Sequence, residues 1–310
     1  MKKIFILLCL VFSTSSAILS QQDTHYTGYM FNSLIINPAY AGSRDATSFT
    51  AYYRHQWADI STAPRDFSIS AHTPYSNNVG LGAYMESDWI GVHNRLSFFG
   101  SYSYKIELNN NAQLAGGLQA GIMRYGSNFS EINSTLRDQD DIVFNEDQAR
   151  YLPNFGFGLF YYTNQGYIGL SVPHLLNNKI IKDEPVNSEV QLSRQIRHIF
   201  ISGGTVVAVN DLIKVRPTAI LKAGPFGKAP VSFDLSFALI YNNQFLVGLA
   251  HRFTDSISFF GEYQINPNLR VGYAYDYPLK AISNFAGSHE VFVGYDILKD
   301  NTKIVTPRFF

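Results

Sequence analysis

Histidine and cysteine are the side chains that most often bind transition metals, and the sequence has eight histidines and a single cysteine. No two histidines lie at the spacing of metal ligands, and the sequence has neither an H-E-x-x-H run nor a cysteine cluster. It also lacks a G-x-S-x-G elbow, the turn that carries the serine of many hydrolases. The sequence therefore predicts no catalytic residues, no metal site and no cofactor, and we do not expect an enzyme.

An acidic stretch remains as a candidate for binding chemistry. Its carboxylates suit calcium, a hard cation that prefers oxygen ligands, but their order does not follow an EF-hand loop. A solvated surface loop, where a partner would be contacted, explains the same residues and is the interpretation we favour. The acidic residues are Glu131, Asp138, Asp140, Asp141, Glu146 and Asp147.

Charge and composition narrow the class of protein. Lys plus Arg equals Asp plus Glu at 24 each, so nothing in the charge balance favours binding to nucleic acid. Aromatic residues make up 15% of the chain, with 20 Tyr and 24 Phe. Such enrichment is typical of strands and of the aromatic girdles of membrane barrels, although a large soluble β-sandwich could also show it.

The N-terminus has the order of a secretion signal peptide. Lys2 and Lys3 precede nine apolar residues, 4–12, and small residues follow. A helix that spans a membrane needs about 20 apolar residues, so this run is too short. We expect a signal peptide over residues 1–20 and a mature start at Gln21. Its removal takes away Cys9, and with it every thiol and disulfide.

Strand patterns fill the rest of the chain. Over residues 231–241, apolar and aromatic side chains alternate with small or acidic ones, which is the pattern of a strand with one apolar face. We count fourteen such segments, an even number as in single-chain bacterial outer-membrane barrels. The predicted strands are 47–56, 66–74, 79–87, 94–107, 112–125, 152–163, 166–172, 196–209, 213–222, 230–242, 244–253, 257–265, 268–277 and 288–297.

The connections between these strands alternate in length. Every second one is a tight polar turn, such as Asn242-Asn243, and those between are mostly longer, notably residues 126–151 and 173–195. Hairpins threaded repeatedly through a membrane produce this alternation, whereas a sandwich does not require it. We therefore predict an all-β fold, a transmembrane antiparallel β-barrel of the bacterial outer-membrane type.

The same patterns divide the chain into four parts. The predicted barrel lies in the outer membrane with both chain termini in the periplasm, since short turns face that side. The parts are a signal peptide over residues 1–20, a periplasmic N-terminal segment over 21–46, the barrel over 47–297 and a periplasmic C-terminal tail over 298–310.

Two segments outside the predicted strands are candidate partner-binding sites. One lacks strand alternation and carries turn signals, so we expect a periplasmic or plugging element there. The other ends the tail, which either contacts periplasmic proteins or carries an aromatic sorting signal for barrel assembly. The first comprises Asn37, Pro38, Ala39, Tyr40, Ala41 and Gly42, and the second comprises Pro307, Arg308, Phe309 and Phe310.

The run N-P-A-Y-A-G from Asn37 to Gly42 resembles the opening of the PorP/SprF family, which belongs to the type IX secretion system of Bacteroidetes. Other matching features are Y-R-H-Q-W at 53–57, the segment 64–68, G-S-H-E at 287–290 and the closing P-R-F-F. The resemblance covers essentially the whole mature chain. It implies a non-enzymatic outer-membrane component of protein secretion or gliding motility.

The resemblance also implies partners. These are lipoprotein ring components of the periplasmic secretion system and an exported surface protein or adhesin, which the barrel would dock or anchor, with outer-membrane lipid around it. An outer-membrane channel or small-molecule transporter is the alternative. Its lumen would be lined by residues of mixed sign, whereas a dedicated ion pore usually shows a stronger charge bias. These residues are Asp234, Glu262, Arg270, Asp276 and Glu290.

Overall fold

Strands make up most of the chain that the structure describes. Two short 3₁₀ turns, Thr27–Phe31 and Pro38–Tyr40, precede the first strand. The computed structural model describes residues 27–60, 62–108, 112–128, 148–180, 195–225, 231–253, 255–279 and 287–298. The strands are β1 Ala46–His55, β2 Arg65–Pro74, β3 Val79–Ile90, β4 His93–Glu107, β5 Gln113–Ser127, β6 Gln148–Tyr162, β7 Gly166–Val172, β8 Ile199–Thr205, β9 Val207–Ala208, β10 Ile213–Ala223, β11 Ser232–Tyr241, β12 Phe245–Arg252, β13 Ser256–Gln264, β14 Leu269–Pro278 and β15 Ser288–Leu298.

These strands form one closed sheet. Successive strands pair antiparallel, and β1 also pairs with β15, which closes the cylinder. β8 and β9 are separated only by Val206 and pair with the same strand, β10. Together they occupy one strand position, so the fifteen strand segments make a barrel of fourteen strands. The predicted fourteen-stranded antiparallel β-barrel is confirmed.

Two local features of the barrel follow from single residue types. The interruption at Val206 lies opposite Arg216 and Pro217 of β10, and proline has no backbone N–H to donate. β11 and β12 are joined through Asn242 and Asn243, which have φ values of 50° and 52°. This left-handed conformation suits tight hairpins, and asparagine tolerates it better than most residues.

The two faces of the sheet differ in polarity. In β11, Leu235, Phe237 and Leu239 are exposed on the outer face, whereas Asp234 and Ser236 are buried toward the lumen. This arrangement is the reverse of that in a soluble protein, and it fits a barrel whose outer surface meets lipid. No helix in the described part of the chain is long and apolar enough to cross a membrane.

The two ends of the barrel differ in their connections. In outer-membrane barrels the end with tight turns faces the periplasm and the end with longer loops faces outward. We call the corresponding ends of the lumen the periplasmic mouth and the surface mouth. At the periplasmic mouth, consecutive strands are joined through the short intervals 75–78, 108–112, 163–165, 209–212, 242–244 and 265–268. At the surface mouth, two intervals are also short, 91–92 and 253–255, whereas the others are longer: 56–64, 128–147, 173–198, 224–231 and 279–287.

Residues 27–45, called the inner segment from here on, lie inside the barrel. They form hydrogen bonds with β2, β4, β6, β10 and β14, which lie on different sides of the cylinder. Only a position in the lumen lets so short a segment reach all of these strands. The sequence led us to expect a periplasmic segment over residues 21–46. In the structure, residues 27–45 lie in the lumen of the barrel and not in the periplasm. Their small and apolar side chains are buried against the inner wall, which explains this position.

Candidate functional site

Asn37 organises the inner segment near the periplasmic mouth. Its side-chain oxygen accepts a hydrogen bond from Ala39 N at 3.0 Å and so caps the turn Pro38–Tyr40. Its Nδ2 donates to the carbonyl oxygen of Leu159 at 3.0 Å, which ties the turn to β6. Pro38 occupies the first turn of this helix, where its missing N–H leaves no partner unsatisfied.

Ala41 and Gly42 extend these contacts to two further strands. The carbonyl oxygen of Ala41 accepts a hydrogen bond from Ser103 Oγ at 2.5 Å, and Gly42 N donates to His72 Nδ1 at 3.2 Å. Gly42 has a φ of 69°, in the left-handed region that favours glycine. All six predicted residues from Asn37 to Gly42 are buried, so in this structure they are an internal packing element.

Glycines on the inner wall make room for this element. A Cβ atom at Gly117 would collide with the backbone of Pro38 and Ala39, and one at Gly158 would collide with the side chain of Asn37. The glycine-rich strand faces therefore allow close approach of a second backbone.

Aromatic contacts hold both turns of the inner segment. The Phe31 ring stacks on Phe292 with centroids 4.1 Å apart and meets Phe260 edge-on at 6.1 Å. Tyr40 lies edge-on to Phe160 at 5.5 Å. Each such pair contributes about 0.5–1.5 kcal/mol beyond the area it buries, so the segment has a defined position in the lumen.

The start of the inner segment is held by two carboxylates. Thr27 N and Gly28 N donate to the two carboxylate oxygens of Glu290, each at 3.0 Å. Thr27 Oγ1 donates to Asp276 Oδ1 at 2.6 Å, and the Tyr52 hydroxyl donates to Glu290. We call Thr27, Gly28, Glu290 and Asp276 the carboxylate latch.

Two buried arginines neutralise this region. Arg54 forms ion pairs with Asp276 and Glu290, each at 3.2 Å. Arg252 pairs with Asp234 at 3.0 Å, and its Nη2 also lies 3.3 Å from Thr27 Oγ1. Buried charges are tolerated when paired in this way, and removing one partner is costly because the other is left uncompensated.

Polar contacts continue along the inner segment to its other end. The Tyr29 hydroxyl lies 3.2 Å from Thr218 Oγ1 on β10. Arg44, close to the start of β1, pairs with Asp296 at 2.9 Å. The inner segment is thus fixed at both ends by charged groups of the wall.

Four of the charges expected to line a lumen are buried in it, and the fifth, Glu262, is half-buried. The four are Asp234, Arg270, Asp276 and Glu290. Sequence reasoning missed Arg54 and Arg252. The signal was present, because Arg54 shares a strand face with Ser48 and Thr50, and Arg252 shares one with Gly248 and Ala250. Their pairing with particular carboxylates depends on strand register and could not be derived from alternation.

Two segments singled out in the sequence are not part of the described structure. Pro307, Arg308, Phe309 and Phe310, together with the acidic stretch 131–147, lie outside the described residues. Within the described ranges, no group of three or more His, Cys, Asp or Glu side chains is placed to hold a metal ion.

The outer wall carries an apolar groove of about 910 Å³ across β7 to β13. Gly203 and Ala219 line it, together with the exposed side chains of Ile168, Leu235 and Phe237. A groove on the lipid-facing surface is filled by lipid acyl chains in a membrane, so we place the candidate site in the lumen and not here.

The solved structures that are similar to this chain are outer-membrane barrels of low sequence identity. Acinetobacter baumannii Omp33 is 8% identical, with a TM-score of 0.46 over 81% of this chain and 96% of that one. A Pseudomonas aeruginosa FadL homologue is 13% identical, with a TM-score of 0.47 over 86% and 93%. The Ralstonia pickettii toluene transporter TbuX is 11% identical, with a TM-score of 0.48 over 88% and 94%. No curated protein matches the chain.

The family comparison is more specific. The model of the type IX secretion system membrane protein PorP/SprF matches residues 18–295, most of the chain. A closed antiparallel barrel with an apolar outer face is the architecture of bacterial outer-membrane proteins, so the protein is an outer-membrane component of type IX secretion. The chain belongs to the PorP/SprF family.

Proposed function

We propose that the protein is a non-enzymatic docking or anchoring component of type IX protein secretion or gliding motility. It holds an exported surface protein at the outer membrane and contacts the periplasmic machinery. The observation that carries this proposal is that the barrel, in a chain of a secretion-system family, is occupied by its own inner segment. A barrel filled in this way suits a fixed membrane platform better than an open pore.

The remaining surfaces indicate where partners would bind. The outer wall meets lipid and the inner wall meets the inner segment, so the two rims are left for proteins. We assign the surface rim, with its longer loops, to the exported surface protein or adhesin. We assign the periplasmic rim to lipoprotein ring components.

The predicted partner-binding residues take different roles in this proposal. Residues 37–42 are buried, so they shape the periplasmic mouth from inside and do not offer a free peptide. Pro307, Arg308, Phe309 and Phe310 are the direct contact that we propose for the periplasmic machinery.

Affinity purification tests the docking role. The full-length protein and a variant lacking residues 299–310, both with the same tag in a surface loop, would be purified from outer membranes of the native host. An unrelated barrel with the same tag is the control. We expect the full-length protein to recover a large exported protein and periplasmic lipoproteins, and the truncated variant to lose the lipoproteins. Recovery of the barrel alone from both strains would overturn the proposal.

A channel for small polar molecules is the second candidate, favoured by the charged side chains on the inner wall. It requires displacement of the inner segment, whose two ends are both paired with buried charges. This requirement makes it the weaker candidate.

A further inference from the structure

Three arginines lie close to one another in the periplasmic half of the lumen. Arg216 is the fourth residue of β10 and Arg270 is the second residue of β14, and both strands begin at the periplasmic mouth. Arg44 lies two residues before the start of β1. All three side chains are buried, and arginine keeps its charge in proteins. Three fixed positive charges are therefore enclosed at this end of the barrel.

Two carboxylates lie among these arginines. Asp296 pairs with Arg44 at 2.9 Å. Glu262 interacts electrostatically with all three arginines, but in the described part of the chain it forms no ion pair with any of them. The neighbouring His72 accepts a hydrogen bond from Gly42 N through Nδ1, so its ring is neutral. Three positive charges facing two negative ones leave one positive charge without compensation.

Arg270 is the arginine whose donors are least used. It is 3% exposed, and among the described residues it has no ion-pair partner and its Nε has no hydrogen-bond acceptor. Its side chain lies against Gly294 on β15, where a Cβ atom would collide with Nε and lie 3.1 Å from Cζ. Glycine at this position therefore makes room for the guanidinium group. A buried charge in such surroundings is unfavourable until an opposite charge pairs with it.

We propose that the periplasmic mouth of the lumen binds a carboxylate anion, with Arg270 as its main ligand. The planar fork of a guanidinium group matches the two oxygens of a carboxylate. A single negative charge balances the excess positive charge, whereas a phosphate group, at about −1.5 to −2, would exceed it. Glu262 is only half-buried, so space for a ligand remains beside it.

This carboxylate has two possible sources, a free monocarboxylate or an acidic residue of a periplasmic protein. Both present the same group to Arg270, and both reach it from the periplasmic side. The site goes beyond the proposed docking role because it is a property of the barrel alone. It can therefore be tested on the purified protein, whether or not the docking role is correct.

Isothermal titration calorimetry of the purified full-length protein in detergent micelles tests the site. The probes are sodium acetate, sodium phosphate, the blocked tripeptide N-acetyl-Gly-Asp-Gly-amide and its Asn counterpart, at an ionic strength held constant with chloride. Arg270→Gln removes the guanidinium fork, and Gly294→Ala keeps its charge but displaces it. Arg65→Gln is the matched control, because it removes an exposed arginine at the surface-mouth end of β2.

We expect acetate and the Asp peptide to bind and the Asn peptide not to bind. Hydrogen bonds to a charged group are strong enough that Arg270→Gln and Gly294→Ala should each weaken binding at least about tenfold. Arg65→Gln should stay within about twofold, since charges farther apart than the Debye length are screened. Tighter binding of the Asp peptide than of acetate identifies a protein residue as the source, and equal binding identifies a free monocarboxylate.

Three results would overturn the proposal. The first is that neither acetate nor the Asp peptide binds, the second is tighter binding of phosphate than of acetate, and the third is unchanged binding by both Arg270→Gln and Gly294→Ala.

Unfolding in urea separates ligand binding from a structural role of Arg270. In chloride alone, Arg270→Gln removes an uncompensated buried charge, so its unfolding midpoint should be no lower than that of the native protein. A clearly lower midpoint, or failure of this variant to fold, would mean that Arg270 stabilises the barrel through the protein's own groups. The proposed ligand would then have no role, and the proposal would be wrong.

Discussion

Substitution of Glu290 by glutamine should weaken the carboxylate latch without changing its size. The native carboxylate accepts hydrogen bonds from Thr27 N, Gly28 N and Tyr52, and it pairs with Arg54. Hydrogen bonds to a charged group contribute about 1.5–3 kcal/mol, and breaking a buried ion pair costs about 3–5 kcal/mol. Because Arg54 keeps its pairing with Asp276 at 3.2 Å, we expect the lower end, a loss of about 3 kcal/mol in the free energy of unfolding.

The assay is reversible urea unfolding of the purified barrel in phospholipid vesicles, followed by tryptophan fluorescence. Asp255→Asn is the matched control, because Asp255 pairs with Arg252 at 3.4 Å but its side chain is 49% exposed. Exposed ion pairs contribute about 0–1 kcal/mol, so this control should unfold almost like the native protein. If Glu290→Gln and Asp255→Asn unfold at the same urea concentration, the latch does not stabilise the barrel and this reasoning is refuted.

Three further outcomes follow from other parts of the lumen and from the tail. Gly117→Ala should lower the free energy of unfolding by about 1–3 kcal/mol, since its Cβ meets the backbone of the inner segment at Pro38 and Ala39. Gly100→Ala, with no atom within 4 Å of the added Cβ, should stay within about 0.5 kcal/mol of the native protein; equal effects of the two would contradict the packing. Phe31→Ala should cost about 3–5 kcal/mol in the same unfolding measurement, because the buried apolar area is lost, a cavity is left and the contacts with Phe292 and Phe260 disappear; a cost below about 1 kcal/mol would mean that the inner segment is loosely packed. Deletion of residues 299–310 should leave barrel insertion intact in membrane fractions while secretion is lost; loss of insertion would identify the tail as a sorting signal.

Strand positions could be predicted closely from the sequence, because alternation of apolar and polar residues reports directly on the two faces of a barrel strand. The segment predicted at 79–87 is Val79–Ile90 in the structure, and the one predicted at 166–172 is unchanged. The single strand predicted at 196–209 is interrupted at Val206, because Pro217 on the neighbouring strand β10 cannot donate a backbone hydrogen bond.

The candidate site could be predicted only in part. The turn at Asn37 and Pro38 was identified, but the choice between a periplasmic and a plugging element stayed open, since a segment without alternation gives no information about which surface covers it. Gly117 and Gly158 accommodate this turn, but a glycine in a strand does not by itself indicate which group occupies the space beside it. Pairing of Arg54 with Glu290 depends on the register between β1 and β15, which no local pattern encodes.

The central claim is that the inner segment closes the barrel, which therefore serves as a platform for partner proteins. Single-channel recording in planar lipid bilayers tests it most directly, with the full-length protein compared against a variant lacking residues 27–45. The account predicts no stable conductance steps from the full-length protein and steady open-channel steps from the deletion variant. A steady open channel from the full-length protein, equal in conductance to that of the deletion variant, would contradict the account and favour transport.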